Sequence, residues 1–466
     1  MATTEAYRDQ LYNTDSSGRR IGFYPRRPKG RFYNKRKIVS GLLLVVFFVT
    51  PWIKWNGDPF LMLNFLERKF IVFGFTFYPQ DFLLLALLVV GLFYFVFAFT
   101  SVLGRIWCGW GCPQTIFLEL VYRRIEYWIE GDSVAQRKLA KAPWTGKKVW
   151  KRSLKHTLFG LIAVAVSHTV VAFVIGTDQV IDYYREPFAE NGLYWTIVLL
   201  NAGAFYFVFS WFREQACIFI CPYGRLQGVL LNSKSLVINY DHVRGEPRGK
   251  LKKQAVNPEQ GDCIDCKACV AVCPTGIDIR NGTQLECVNC TACIDACDDI
   301  MDKIGKPRGL VRYASQEMIE TGKKFKITSQ AYVYAAGLVL ILTTFIIMLS
   351  NTGDLHTKLL RAPGQTYTMT SDGNVTNLYN ISVTNKSKEE RQLDFRLTDN
   401  TKGKLMVLGS EDQSLDLPAD GLTEGSILVE LPPESLNGLS FEIGIEILEK
   451  EKVLETVTTK FNGPMF

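Results

Sequence analysis

The stretch Cys263-Ile-Asp-Cys266-Lys-Ala-Cys269-Val-Ala-Val-Cys273-Pro274, followed by Cys287-Val-Asn-Cys290-Thr-Ala-Cys293-Ile-Asp-Ala-Cys297, holds eight of the chain's twelve cysteines in two copies of one spacing. Two residues between successive thiols let three of them wrap one corner of a small inorganic group, and a fourth thiol further on reaches across it. Two copies imply two 4Fe-4S clusters. In this duplicated spacing the fourth thiol of each run serves the other cluster, so Cys263, Cys266, Cys269 and Cys297 hold one, and Cys287, Cys290, Cys293 and Cys273 the other. Zinc or disulfides explain the pattern less well, because a zinc site closes at four ligands and gives no reason for a duplicated run with Pro274 behind it. Cys297 is followed by Asp298 instead of proline. The loop beside the first cluster is therefore expected to differ in shape but not in ligand count.

Around this insert, 47% of the 466 residues are apolar, with 30 Phe and 9 Trp. They gather into long uncharged runs, which mark an α-helical polytopic membrane protein carrying soluble domains. Five spans are expected, at 38–55, 82–104, 157–176, 193–212 and 331–349, each near the ~20 residues that cross a bilayer. The first is interrupted by Pro51. The basic tail is long and no small-residue cleavage site follows Trp52, so it is expected to be an uncleaved anchor. All twelve cysteines lie between Cys108 and Cys297, which fits reduced ligands in a cytosolic setting better than secreted disulfides.

The net charge of +7 conceals an alternation. Ten Lys and Arg precede the first span, three lie between Lys54 and Lys69, eleven follow the second span, one the third and 17 the fourth. Positive loops stay inside. The N-terminus, the 105–155 loop and the cysteine insert are thus expected in the cytoplasm of a bacterial inner membrane, with the C-terminal domain in the periplasm. The basic excess serves topology and does not indicate nucleic acid.

The expected domains are a basic tail at 1–37, four spans and a first Cys-x-x-x-Cys-Pro motif at 38–213, a ferredoxin-like insert at 214–330, a fifth span at 331–350 and an immunoglobulin-like β-sandwich at 351–466. The last rests on alternating apolar positions such as Tyr379, Ile381 and Val383, Ile427, Val429 and Leu431, or Phe441, Ile443 and Ile445. Turn signals at Asp372-Gly373, Asp420-Gly421 and Asn437-Gly438 separate some of these strands. Nothing in that domain suggests catalysis.

The other four cysteines form a second set, Cys108-Gly-Trp-Gly-Cys112-Pro113 and Cys217-Ile-Phe-Ile-Cys221-Pro222. Phe93-Tyr94-Phe95-Val96-Phe97 precedes the first pair and Phe205-Tyr206-Phe207-Val208-Phe209 the second, so a hairpin is duplicated. Two copies packed about a pseudo-two-fold axis would bring the four thiols together at the cytoplasmic face. Such a group could bind soft Cu(I), hold another cluster or cycle between dithiol and disulfide; the plain alternative is four small buried apolar residues. There are only four histidines. His156 and His168 share one span about 18 Å apart, which argues against a membrane haem.

With both cysteine sets and the topology in view, the chain resembles the cytochrome oxidase accessory proteins of the CcoG/FixG family. The resemblance rests on Trp107-Cys108 through Cys112-Pro113, on Ala216-Cys217 through Cys221-Pro222-Tyr223-Gly224-Arg225, on the double cluster motif and on the outer domain. It implies a role in maturing the cbb3-type cytochrome oxidase, by reduction of Cu(II) to Cu(I) for its copper centre; the soft thiols of Cys108, Cys112, Cys217 and Cys221 are the expected place of that reduction. The partners it implies are copper ions, oxidase subunits or copper chaperones, the lipid bilayer and a cytoplasmic electron donor that the sequence does not name; homo-oligomer formation is left open. Two other functions compete with this one: a quinol-oxidising membrane ferredoxin of a respiratory chain, and a non-enzymatic scaffold for oxidase assembly.

Overall fold

The computed structural model describes residues 22–464 apart from 251–259 and positions 351, 352, 354, 365, 388, 399–401, 411, 412, 420 and 437. The first 21 residues of the basic tail and the turn residues Asp420 and Asn437 lie outside this set.

The first helix, α1 (Arg31–Val49), begins with Arg31, Lys35, Arg36 and Lys37. Its uninterrupted apolar part, 38–49, is about 18 Å long at 1.5 Å per residue. Pro51 sits in the 3-10 turn Thr50–Trp52 that ends it. A fifth crossing of a ~30 Å core would need the extended residues beyond that turn to complete it. The connection that follows folds into a small antiparallel sheet, β1 (Leu61–Asn64), β2 (Lys69–Val72) and β3 (Phe75–Phe77).

The helices that follow are α2 (Phe82–Leu103), α3 (Ile106–Trp110), α4 (Gly146–Ile175) and α5 (Gly192–Phe207), the last continuing as a π-helical turn to Phe212. After them come α6 (Pro222–Leu230), α7 (Ala268–Val272), α8 (Ala292–Lys303) and α9 (Ser329–Ser350). Among the described residues, four segments are long and apolar enough to cross a membrane: Phe82–Leu103, Gly146–Ile175, Gly192–Phe212 and Ser329–Ser350. α4 and α5 pack around Phe159, Val166 and Phe209, with Tyr122 stacked on Phe209. The Ser167 hydroxyl donates to the Val198 carbonyl at 2.8 Å, so a polar group inside the pair is satisfied. α9 lies against α2, with Tyr334 edge-on to both Tyr94 and Phe97.

In the insert, α7 packs on α8, and β4 (Val237–Tyr240) pairs antiparallel with β5 (Val311–Ala314). Ile238, Val272, Ile294, Met301 and Leu310 close the core between them, with most of the insert's thiols on its inner side.

The C-terminal unit is a β-sandwich of two antiparallel sheets. Its strands are β6 (Leu355–Arg361), β7 (Val375–Asn385), β8 (Arg391–Leu397), β9 (Lys404–Leu408), β10 (Ser414–Leu417), β11 (Gly421–Leu431), β12 (Ser440–Glu449) and β13 (Lys452–Asn462). One sheet runs β9-β11-β7-β6 and the other β10-β8-β12-β13. The alternating residues named above meet in the core, where Tyr379, Val383, Ile427, Val429 and Phe461 are fully buried. The Tyr379 hydroxyl finds the Lys460 carbonyl at 3.0 Å. β6 has no alternation to announce it. Its Leu-His-Thr-Lys-Leu-Leu-Arg sequence is a strand because β7 is there to pair with it.

Candidate functional site: two thiol cavities and a four-thiol junction

The two cysteine runs adopt the same backbone. Asp265 and Lys267 in the first, and Asn289 and Thr291 in the second, have φ of 51°, 56°, 52° and 67°. Left-handed backbone at non-glycine residues costs ~1–2 kcal/mol each. Repeated at matching positions, it turns successive amides toward one point and makes a concavity suited to an anion. Each run then enters a helix, α7 or α8. Pro274 stops α7 at Cys273, whereas Asp298 lets α8 run on to Lys303 and accepts the Gly309 amide at 2.9 Å. The expected difference in loop shape is thus a longer helix.

Cys263, Cys266, Cys269 and Cys297 line one cavity together with Tyr240, Met301, Leu310 and Val311. Cys273, Cys287, Cys290 and Cys293 line a second, with Ile238, Ile277, Ile279 and Val288; Cys269 stands at the wall between the two. The fourth thiol of each run therefore turns to the other run's cavity. Burial pushes the thiols of Cys269, Cys287 and Cys297 up to about 12, that of Cys290 to about 11, and that of Cys293 well above its ordinary value. Thiolates in such walls need the positive charge of bound metal. Among the described residues, no three His, Cys, Asp or Glu side chains are grouped as one metal ion requires. A tetrahedral zinc ion with 2.3 Å bonds wants sulfurs about 3.8 Å apart. Wider thiol cavities walled by apolar side chains fit the several-atom 4Fe-4S group. Cys266 is exposed, while Cys290 and Cys293 are buried, so the first cavity is the one nearer solvent.

The second cysteine set repeats more closely than its sequence announces. Gly104 and Arg213, each four residues before the first cysteine of a pair, share an unusual backbone, φ 61° and ψ −138° against φ 53° and ψ −126°. Cys112 and Cys221 each precede a proline that opens a helix, at φ −68° and −65°. The repeats are cross-tied: Gln114 donates to the Arg213 carbonyl at 3.2 Å, and the Tyr223 and Thr100 hydroxyls are bonded to each other. All four thiols lie within electrostatic reach of one another. Burial pushes Cys108 up to about 11 and raises Cys112 and Cys217 as well. Free thiols so placed are poor nucleophiles, which disfavours dithiol cycling. The fully buried Gln227 amide donates to the Cys108 sulfur at 3.2 Å.

The two sets meet backbone to backbone. A Cβ at Gly109, between Cys108 and Cys112, would lie 2.5 Å from the Asn289 carbonyl oxygen and 2.7 Å from that of Val288. Only glycine permits this approach. Trp110 donates to the Tyr313 hydroxyl at 3.2 Å, and that hydroxyl donates to the Asn289 carbonyl at 3.3 Å. Three buried arginines tie the same junction. Arg36 donates to the Gly109 carbonyl at 2.6 Å. Arg105 donates to the carbonyls of Leu285, Cys287 and Gly224. Arg123 donates to the Pro274 carbonyl at 3.1 Å and pairs with Glu119 and Glu214. The four thiols therefore adjoin the cavity of Cys273, Cys287, Cys290 and Cys293.

Sequence reasoning counted these arginines as topological charge. It also missed the tail's second role: the Arg26 amide bonds the Ala271 carbonyl at 2.8 Å, and Asp295 accepts the amides of Phe32 and Tyr33 at 3.1 and 2.8 Å. The tail is a strap across the cluster helices.

Apolar helices, the duplicated thiol loops and a C-terminal β-sandwich define an iron-sulfur electron-transfer protein of the membrane. Residues 212–316 match the family described as a 4Fe-4S dicluster domain, 85–139 a 4Fe-4S binding domain and 345–464 the IG-like fold at the C-terminus of FixG. Protein RdxB of Cereibacter sphaeroides is 35% identical over 85% of this chain and 86% of its own, and Protein RdxA of the same organism 34% identical over 88% and 89%. Nitrogen fixation protein FixG of Rhizobium meliloti is 39% identical over 64% of this chain and 58% of its own. The chain belongs to the FixG family.

Proposed function

We propose that the protein receives electrons from a cytoplasmic donor at the cavity of Cys263, Cys266, Cys269 and Cys297 and delivers them at Cys108, Cys112, Cys217 and Cys221. There Cu(II) is reduced to Cu(I), for assembly of a cbb3-type cytochrome oxidase. The observation that carries this reading is the Gly109–Asn289 contact, which leaves no side chain between the second cluster loop and the first hairpin. Two 4Fe-4S clusters, bound in the crossed arrangement, would supply one electron at a time, the number that Cu(II) takes up. The four thiols supply soft sulfur, which prefers Cu(I) to Cu(II). Gln227 holds the Cys108 sulfur by its amide.

The basic alternation supports an inner-membrane orientation with the N-terminus and insert in the cytoplasm and the sandwich in the periplasm. Both thiol sets then lie on one side, and no electron has to cross the bilayer.

Changing Cys108 and Cys217 together to serine is expected to preserve iron content and cluster spectra while abolishing Cu(I) binding and Cu(II) reduction. Undiminished copper reduction in that variant would refute the assignment of the exit site. Reduction of the clusters by a quinol in intact membranes would favour the quinol-oxidising function instead.

A further inference from the structure

Two guanidinium groups in the junction are buried without a counter-ion. Arg36 is 2% exposed and Arg105 is 5% exposed. Each bonds only backbone carbonyls, and each keeps one buried nitrogen without a partner, Nη2 of Arg36 and Nε of Arg105. No carboxylate pairs with either among the described residues. Arg123 is different, because Glu119 at 2.8 Å and Glu214 at 3.1 Å compensate it. A buried charge without a counter-charge or water is strongly destabilising, so two of them at one junction call for negative charge nearby.

The candidate is the adjoining thiol cavity. Arg105 bonds the Cys287 carbonyl itself, and the Arg36 guanidinium opposes the upward push of burial on the Cys290 thiol. A 4Fe-4S group with four thiolates carries net negative charge, and one unit more when reduced. Fixed positive charge beside it favours the reduced form.

Among the described residues, the first cavity has no base that is both buried and unpaired. Arg280, next to it, is held by Asp278 at 2.6 Å and by Asp265 at 2.5 Å. Lys306 nearby is held by Asp262 at 3.0 Å. Asp298 adds a further carboxylate directly after Cys297, accepting the Gly309 amide and facing Arg31 at 3.7 Å. Arg244 shares Asp262 with Lys306, and Lys267, which also lines this cavity, is exposed to water, whereas the two bases of the junction are buried with no acid of their own.

We propose that Arg36 and Arg105 are the counter-charges of the group held by Cys273, Cys287, Cys290 and Cys293. They make it easier to reduce than the group held by Cys263, Cys266, Cys269 and Cys297, and so direct electrons toward the four-thiol junction. The inference rests on the two-cluster assignment and is independent of copper. The step it governs is a single electron leaving the first site and entering the second, with no proton moved and no bond made or broken. Water near the exposed Cys266 acts in the opposite sense, by easing extra negative charge at the first site. The proposal requires the arginines to outweigh it.

The test is an anaerobic redox titration of the full-length protein in lipid nanodiscs, with dithionite as reductant and both clusters followed by EPR. Signals are assigned with Cys266→Ser and Cys293→Ser. In the unaltered protein the second site should have the higher midpoint. Arg36→Met and Arg105→Met should each lower that midpoint by at least the 59 mV that equals a tenfold change for one electron, and move the first site less. Arg36→Lys and Arg105→Lys, which keep the charge, should restore most of the difference.

Equal movement of both sites, no movement, or lysine variants shifted as far as methionine would each overturn the proposal. If a methionine variant loses its iron, the glutamine variants, which keep a donor for the carbonyls, are titrated under the same criteria. An iron content well below about eight per chain in the unaltered protein would instead defeat the two-cluster assignment itself.

Discussion

Gly109→Ala adds one methyl group at the junction of the two cysteine sets. The shortfalls against an ordinary 3.4 Å contact are about 0.9 Å at the Asn289 oxygen and 0.7 Å at that of Val288. Both neighbours are backbone, so no side chain can swing aside, and the loops must part. Overpacking of this kind costs about 1–3 kcal/mol. That is roughly a 5–150-fold shift toward an opened junction. The control is Gly160→Ala in the interior of α4, where nothing lies within 4 Å of the added methyl. There alanine should stabilise the helix by about 1 kcal/mol through propensity alone. Hydrogen exchange by mass spectrometry over 285–291, with the temperature of iron release measured in parallel, reports the outcome. Gly109→Ala should exchange faster in that segment and release iron earlier, and Gly160→Ala should do neither. Indistinguishable exchange in the two variants would refute the backbone contact.

Cys273→Ser should damage the cluster shared with Cys287, Cys290 and Cys293, and Cys297→Ser the one shared with Cys263, Cys266 and Cys269; EPR of each variant showing the reverse would break the crossed assignment. For orientation, Ser371→Cys in the sandwich and Glu320→Cys in the insert are both at exposed positions. An impermeant maleimide applied outside cells should label the first and not the second, and labelling of both would deny an odd number of crossings between them. Acidification should loosen the first cavity's surround. Burial pushes the Asp278 carboxyl up, but the Arg280 hydrogen bonds outweigh it and hold it below the usual carboxylate range. Its stabilisation is present above the unfolded value of about 3.9 and is lost as pH falls through the lower folded value. Opening at 274–282, read as hydrogen exchange relative to the intrinsic rate at each pH, should therefore rise on acidification more in the unaltered protein than in Asp278→Asn, which is already more open at neutral pH.

Short-range spacing carried most of what could be read from the chain alone. The thiol cavities follow from loops in which three ligands lie within seven residues, and the sandwich from period-two alternation at positions such as Ile427, Val429 and Leu431. The junction was not legible, because it depends on pairs from 73 to 203 residues apart. Arg36 looks like every other base in a run of bases, and only its docking on Gly109 shows that it is buried. Gly109 itself lay inside a quoted motif, but a glycine's need to admit a carbonyl appears only when that carbonyl is in place. Strand β6 stayed hidden for a related reason, since its partner and not its own pattern makes it extended. At the first span the sequence shows apolar length and Pro51, but not that the charges at 31–37 occupy the start of the helix.

The strap from Arg26 to Tyr33 has a consequence for how the protein is made. Tyr33 leaves the ribosome early, yet the carboxylate that anchors it, Asp295, lies 262 residues later. At 5–20 residues per second, on the order of ten to fifty seconds separate the two. Through that interval the tail can reach Tyr127 and Asp132 but not its anchor at Asp295, and the cysteine loops, once translated, stay uncovered until α8 is complete. Delivery of iron and sulfide thus has a window set by translation itself, which the strap ends by closing over the finished site.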